Sequence, residues 1–266
     1  MSVKDFLKTR KSTRDFKDKD LGLDILKKIE TGLVGVSNDN NFEVNFDLAV
    51  DGERIFNLLD GHAGYSGKMI KSPHYVICEK MDDDKDSGLW SAYSIEDAIS
   101  KISELDVASC YVTVKQAPED VRKKAFGAKY DRVEYILAIG MPNTGFLNLE
   151  QPSNPRLSID EIVFKDEIGK SFEGEELEHR GLSEVFYYAR LAPSTQNRQP
   201  WRYIVKEDEL FLVTKTDEIH DNTSTDLGIQ MYYFKKLSEY AGFKGEWELV
   251  TGQEIDGYKV VAKFKL

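Results

Sequence analysis

The stretch Arg190–Tyr203, RLAPSTQNRQPWRY, decides how this chain of 266 residues is read. Pro193 ends the helix in front of it, because a proline ring disfavours the αR conformation for the preceding residue, here Ala192. Ser194, Thr195 and Asn197 then offer hydroxyl and amide groups. Gln199 points back, and Pro200 stiffens the exit into an aromatic strand that opens with Trp201. Such a turn has two uses. Either it satisfies its own backbone as a helix C-terminal loop, with Trp201 as core, or it hydrogen-bonds the edge of a planar heterocycle that carries both donors and acceptors.

A weakened copy lies earlier in the chain. Asn197 aligns with Asn40, Ser194 with Ser37 and Tyr203 with Phe46, at a constant offset of 157. The earlier stretch, VSNDNNFEVNF, keeps a serine and an asparagine but lacks the prolines, the glutamine and the tryptophan. Around each copy the same series recurs: helix, polar turn, strand, Asp-containing turn, strand, loop, helix. In the first half LGLDILKKIETGLV carries helical spacing at Leu23, Leu26, Ile29 and Leu33. Asp51-Gly52 reads as a hairpin turn, and Ser94 with Asp97 as the capping box that opens a later helix. In the second half the helix GLSEVFYYARLA precedes the turn and DLGIQMYYFKKLSEYAG follows the strands. A repeat of this length is a domain duplication rather than a solenoid. The halves are 1–150 and 151–266, joined near the linker-like NTGFLNLEQPSNP.

The start of each half shows the converse loss. RKSTRDFKDKDL places Arg10, Lys11, Ser12 and Arg14 within five residues, whereas the matching DEIGKSFEGEEL has no arginine. Cationic forks and a hydroxyl ahead of an expected helix suit a phosphate dianion; an exposed basic tail is the plainer reading. Each half keeps one of two complementary polar motifs, the pattern expected if both serve one shared site.

Composition bounds the rest. Hydrophobic residues make up 41% and aromatics 11%, enough for a substantial core. The net charge of −11 argues against nucleic acid, which needs a basic face to displace counterions. No apolar run reaches the roughly 18–20 residues of a membrane span. The charged N-terminus lacks a signal-peptide core, and Cys78 and Cys110, both in apolar runs, suggest a reducing compartment. We therefore expect a cytoplasmic protein with no membrane or nucleic-acid partner. The four histidines are scattered without zinc-ligand spacing, so no metal is expected. His220, in the polar loop DEIHDNTSTDLG, either lies over the bound ligand or is an ordinary surface residue. The run DDDKD reads as a solvated loop.

ARLAPSTQNRQPWRY and RKSTRDF resemble the two signature segments of the FMN-dependent nitroreductase family, and RLSIDEIVF resembles its third. The match extends over nearly the whole chain if the chain is a tandem fusion of two family units. The resemblance then implies an α+β nitroreductase-like fold, two repeated α/β halves forming a pseudo-dimer in one chain. It assigns Arg10, Ser12 and Arg14 to the FMN phosphate and ribityl chain, with Lys11 assisting and Arg156 as the late phosphate-binding arginine. The lysine often found two residues before that arginine is Asn154 here. Pro193, Ser194, Thr195, Asn197 and Gln199 line the isoalloxazine. Lys68 matches a basic residue near the pyrimidine edge, where a cation favours negative charge on the reduced ring; a solvated loop lysine is the alternative. Cys110, Tyr111 and Val112 match a segment whose backbone reaches toward the flavin, although the glycine common there is absent. One FMN per chain follows, with NADH or NADPH as donor, a small electron-poor acceptor such as a nitro compound or quinone, and a monomer in preference to a homodimer. The rival is a non-catalytic FMN-binding or sensing protein on the same fold.

Overall fold

The computed structural model describes residues 3–41, 43–81, 87–143 and 155–266. The acidic run 82–86, Asn154 and most of the linker-like stretch around position 150 lie outside them. Two units are present: one holds residues 10–143 of those described, the other Val3–Thr9 and residues 155–266.

The first unit is built on α2 (Leu23–Asp39), which buries Leu26, Ile29, Leu33 and Val36 on one stripe. Leu23 shares that spacing but is the first helical residue after Gly22 and stands 75% exposed. After β1 (Val44–Ala49) the Asp51 carboxylate accepts from Arg54 N at 3.0 Å and opens α3 (Gly52–Leu59). The hairpin expected at Asp51-Gly52 is therefore a helix start. Glycine is needed there because a Cβ on Gly52 would lie 2.3 Å from the Pro73 carbonyl oxygen. β2 (His74–Lys80), α4 (Ser87–Glu104), β3 (Ala108–Thr113), α5 (Glu119–Phe126) and β4 (Val133–Gly140) complete the unit. All strand pairings are antiparallel, in the order β1-β2-β4-β3.

Burial of both faces explains why β2 reads as an unbroken apolar run rather than an alternation. One face carries Tyr75, Ile77, Cys110, Val112, Ile136 and Ala138 into a core with α3 and α5; α2 and α4 pack near the other. The capping box expected at Ser94 and Asp97 is not a helix start. α4 begins at Ser87, and Ser94 sits 1% exposed in its interior. His74 accepts from Leu21 N at 3.0 Å through Nε2, so it is the Nδ1–H that donates to Val50 O at 2.8 Å. The ring holds two loops together.

The second unit contains α1 (Val3–Thr9), α6 (Ile159–Ile162), β5 (Val163–Lys165), α7 (Glu176–His179), α8 (Ser183–Ala189), β6 (Trp201–Val205), β7 (Glu209–Lys215), α9 (Thr223–Tyr240), β8 (Trp247–Leu249), β9 (Glu254–Ile255) and β10 (Tyr258–Lys265). α1 buries Phe6 and Leu7, pairs Lys4 with Glu184 at 3.1 Å and sets Lys8 over the Tyr188 ring. The chain passes from this unit to the other between Thr9 and Arg10. The sheet order is β5-β6-β7-β10-β8, with β9 on β10 and β5 parallel to β6. Phe186, Tyr203, Phe234, Trp247 and Phe264 pack beside it with neighbouring ring centroids 5.1–5.6 Å apart. Edge-on and tilted contacts of this kind add about 0.5–1.5 kcal/mol each to the area they bury.

The run β6-β7-β10-β8 repeats β1-β2-β4-β3: four antiparallel strands with the last two exchanged, and a long helix (α4 or α9) between the second and third. Each of these helices is buried on most sides. No helix among the described residues is long and apolar enough to cross a membrane.

Candidate cofactor site

In the first unit the segment after α1 runs along the strands, Thr13 N donating to Ser109 O at 3.0 Å and Lys17 N to Met141 O at 2.9 Å. This tether gathers side chains distant in sequence. Arg10 Nη1 donates to Ser12 Oγ at 3.2 Å. Its other edge meets Glu96 of α4, Nε to Oε1 at 3.1 Å and Nη2 to Oε2 at 3.4 Å, with the two side chains 5% and 0% exposed. Burial raises the Glu96 carboxyl, and the Arg10 charge pulls it back down. Arg14 lies 5.3 Å from the centre of the Tyr65 ring, inside cation–π range.

Cys110 is wholly buried in β3 beneath these groups, its thiol interacting with the Ser12 hydroxyl and the Tyr65 phenol. Burial pushes the thiol up while Arg14 and Arg10 draw it down. It is thus a packed thiol under two cations and not a ready nucleophile. Tyr111 points to the opposite face, edge-on to Tyr135 at 5.5 Å. Burial, with the Glu96 charge as the next cause, holds its phenol well above the ordinary range. Lys68 is exposed on the turn Tyr65–Lys68, where Tyr65 and Lys68 exchange two backbone bonds of 3.0 Å. Lys11 is exposed as well.

In the second unit α8 stops at Ala189 and the quoted stretch folds into a turn with three left-handed non-glycine residues: Gln196 (φ 53°), Asn197 (58°) and Gln199 (52°). Backbone of this kind persists only where surrounding bonds enforce it, and they do. Thr195 N and Oγ1 both donate to Asp226 Oδ1 of α9, at 2.8 and 3.1 Å. Gln199 N donates to Ser194 Oγ at 3.0 Å. Gln199 is 5% exposed; its Oε1 accepts from Leu157 N at 2.9 Å and its Nε2 donates to Asn197 O at 3.2 Å. Asn197 Nδ2 donates to Pro155 O at 2.8 Å, while its buried Oδ1 has no donor among the described residues. Arg156 donates to Leu191 O at 3.3 Å, and Pro193 is half-buried beside it in sequence. Burial raises the Asp226 carboxyl to about 6 against the Thr195 bonds and the Arg198 charge.

Next to this turn a cleft of about 400 Å³ is lined by Thr195, Gln196, Arg198, Ile219, His220, Asp221 and Asn222. His220 N donates to Thr223 Oγ1 at 2.8 Å.

The structure therefore gathers Arg10, Ser12, Arg14 and Cys110 in the first unit, and Arg156 with Pro193, Ser194, Thr195, Asn197 and Gln199 in the second. Three participants escaped the sequence reading. Glu96 and Asp97 sit between Ile95 and the apolar positions Ala98 and Ile99, a signal that at least one of them has a buried partner. Asp226 was legible only as a helix-start acid, and Tyr65 as a loop aromatic.

The architecture is that of the nitroreductases. A crystal structure of a "putative nitroreductase" from Thermotoga maritima MSB8 matches 100% of this chain and 93% of its own length, at 15% identity and a TM-score of 0.62. A Bacteroides fragilis NCTC 9343 nitroreductase with bound FMN is 20% identical over 58% of this chain and 95% of its own, at a TM-score of 0.46. A "putative NADH dehydrogenase/NAD(P)H nitroreductase" from Parabacteroides distasonis ATCC 8503 is 13% identical over 65% and 98%, at 0.47. No curated protein matches the chain. The family model described as "Putative TM nitroreductase" matches residues 2–238, and the chain belongs to that nitroreductase family.

Proposed function

We propose that the protein is an FMN-dependent NAD(P)H oxidoreductase that holds one FMN per chain and acts as a monomer. The observation that carries this reading is the convergence of Arg10, Ser12 and Arg14 above β3 in a member of a nitroreductase family. Two guanidinium groups and a hydroxyl match the donor set a phosphate dianion requires. The buried Asn197 Oδ1, without a donor among the described residues, matches an imide N–H of a planar ring. The first unit's donor set thus suits the FMN phosphate, and the turn of the second unit suits the edge of the ring.

When bound, FMN would supply the redox chemistry between NADH or NADPH and a nitro compound, quinone or other electron-poor small molecule. The chain's own groups bind and orient. Arg14 and Ser12 take the phosphate, with Arg10 aligned beside Ser12. The 194–199 turn presents Asn197 to the ring from a backbone braced by Asp226 and by Gln199. Lys68, exposed on its turn, supplies positive charge for the ring's pyrimidine edge. No side chain need move a proton to or from the substrate.

The test is the visible absorption spectrum of the purified protein, as isolated and after incubation with FMN and desalting. One flavin per chain is expected, followed by bleaching with NADH or NADPH. A chain that retains no flavin under either condition refutes the reading; retained flavin that neither nicotinamide reduces favours a flavin-binding, non-catalytic protein.

A further inference from the structure

The partner of Arg10 is unusual for a residue assigned to an anion. Glu96 stands in the interior of α4 with no exposed surface, 86 residues from Arg10 in sequence. Burying an ion pair is an inefficient way to stabilise a fold. The desolvation of both charges offsets most of their attraction, and apolar side chains of similar volume commonly do as well. A carboxylate within reach of an anion site also lowers the local positive potential. On both counts Glu96 looks misplaced if Arg10 serves only as a positive charge.

Its geometry gives it another role. The guanidinium is planar and rigid, so fixing one edge fixes the direction of the remaining donors. Glu96 engages the Nε and Nη2 edge, at 3.1 and 3.4 Å. The first approach is an ion contact rather than an aligned hydrogen bond, so charge and the Nη2 bond do the holding. Nη1 is left directed at Ser12 Oγ, 3.2 Å away, on the side where Arg14 and Tyr65 lie. The net charge of the segment comes from Lys11 and Arg14, because the Glu96 charge balances that of Arg10.

We infer that Glu96 is a positioning residue for phosphate recognition, fixing the Arg10 fork so that Nη1 and Ser12 Oγ form one oriented pair of donors; this rests on the FMN reading above. Arg10 contributes direction and Arg14 contributes charge.

The test compares FMN with riboflavin, which lacks the phosphate, by fluorescence titration of the flavin-free full-length chain. The wild type is expected to bind FMN much more tightly than riboflavin. Glu96→Gln, nearly the same shape, is expected to weaken FMN at least tenfold while riboflavin affinity stays within twofold. Adding E96Q to Arg10→Ala is expected to cost no further FMN affinity. Parallel loss of both flavins would mark Glu96 as structural and overturn the inference. Unchanged or tighter FMN binding would overturn it too, tighter binding meaning that Glu96 only offsets charge. In both cases the FMN reading survives. A wild type that binds neither flavin, or binds both alike, overturns the phosphate assignment itself and the inference with it. If E96Q does not fold, Arg10→Lys serves instead: it keeps a cation beside Glu96 but removes the fork. The same FMN-specific loss is then expected, and wild-type FMN affinity overturns the proposal.

Discussion

The segment that follows α8 and the segment that follows α2 are strong and weak copies of one motif in sequence, and they fold into different structures. Val36 stands where Pro193 stands. In the first unit the helix continues through that position to Asp39, and Asn40 closes it with backbone N and side-chain Nδ2 both donating to Val36 O at 3.0 Å. In the second the helix stops at Ala189, and the corresponding residues make a turn with three left-handed positions. Yet both segments are tied to the long buried helix of their own unit. Asn40 Nδ2 donates to Asp97 of α4 at 3.1 Å, and Thr195 donates twice to Asp226 of α9. The tie to a carboxylate is common to both. What differs is whether a proline interrupts the helix and thereby releases serine, threonine and asparagine groups from capping their own backbone.

The comparison can be broken in graded steps. The largest effect is expected from Arg10→Ala with Arg14→Ala, which removes both guanidinium groups of the first unit's motif. FMN retention after desalting should be abolished, a loss of a hundredfold or more in affinity. Unchanged affinity would sink the phosphate assignment. Next comes a swap at the aligned position. Val36→Pro removes an intrahelical bond and forces a ring into the last turn of α2, for about 3 kcal/mol or more of lost stability. Pro193→Val leaves an already broken helix and should change urea-unfolding stability by less than about 1 kcal/mol while altering the turn. Equal costs in the two variants would show that the proline does not set the difference between the copies.

Asp226 comes third. Asp226→Ala leaves the Thr195 N–H and hydroxyl without their acceptor, for about 2–3 kcal/mol. The sign of its pH effect is specific. Burial raises the folded-state carboxyl from 3.8 to about 6, so the unfolded chain releases its proton first. The contribution is most favourable below about pH 4, declines as pH rises through 6, and is level above that. The total is roughly 3 kcal/mol at 1.36 kcal/mol per pH unit. Urea unfolding of wild type and Asp226→Asn between pH 4 and 7 should show the wild type losing ground to the variant over that window. Parallel curves would remove Asp226 as the titrating group. The smallest change is expected from Gln196→Gly, within about 1 kcal/mol by the same measurement, since relief of a positive φ is offset by the extra freedom of the unfolded chain.

Much of this was legible in the residues. Local grammar carries a helix end ahead of Pro193, although α8 stops at Ala189 and the chain reaches the proline through a tighter turn. It also carries the aromatic strand after Pro200 and the apolar stripe of α2, because each depends on neighbours within a few positions. Local reading also misled. Asp51-Gly52 has hairpin chemistry but caps a helix, since the backbone of Pro73 lies where only glycine fits. Ser94 and Asp97 have the spacing of a capping box but lie inside a helix, α4, that already includes Ser87.

By itself, then, the sequence determined the family, the two sets of strands and the two signature segments, since these are written in short-range patterns. Only the tertiary structure decided that α1 packs with the second unit, that Arg10 shares its fork with Glu96, and that Thr195 rests on Asp226. Those contacts join residues 31 and 86 positions apart, or further. No side chain encodes such a partner locally, and the pairings exist because the folded chain brings together groups that burial then obliges to hydrogen-bond.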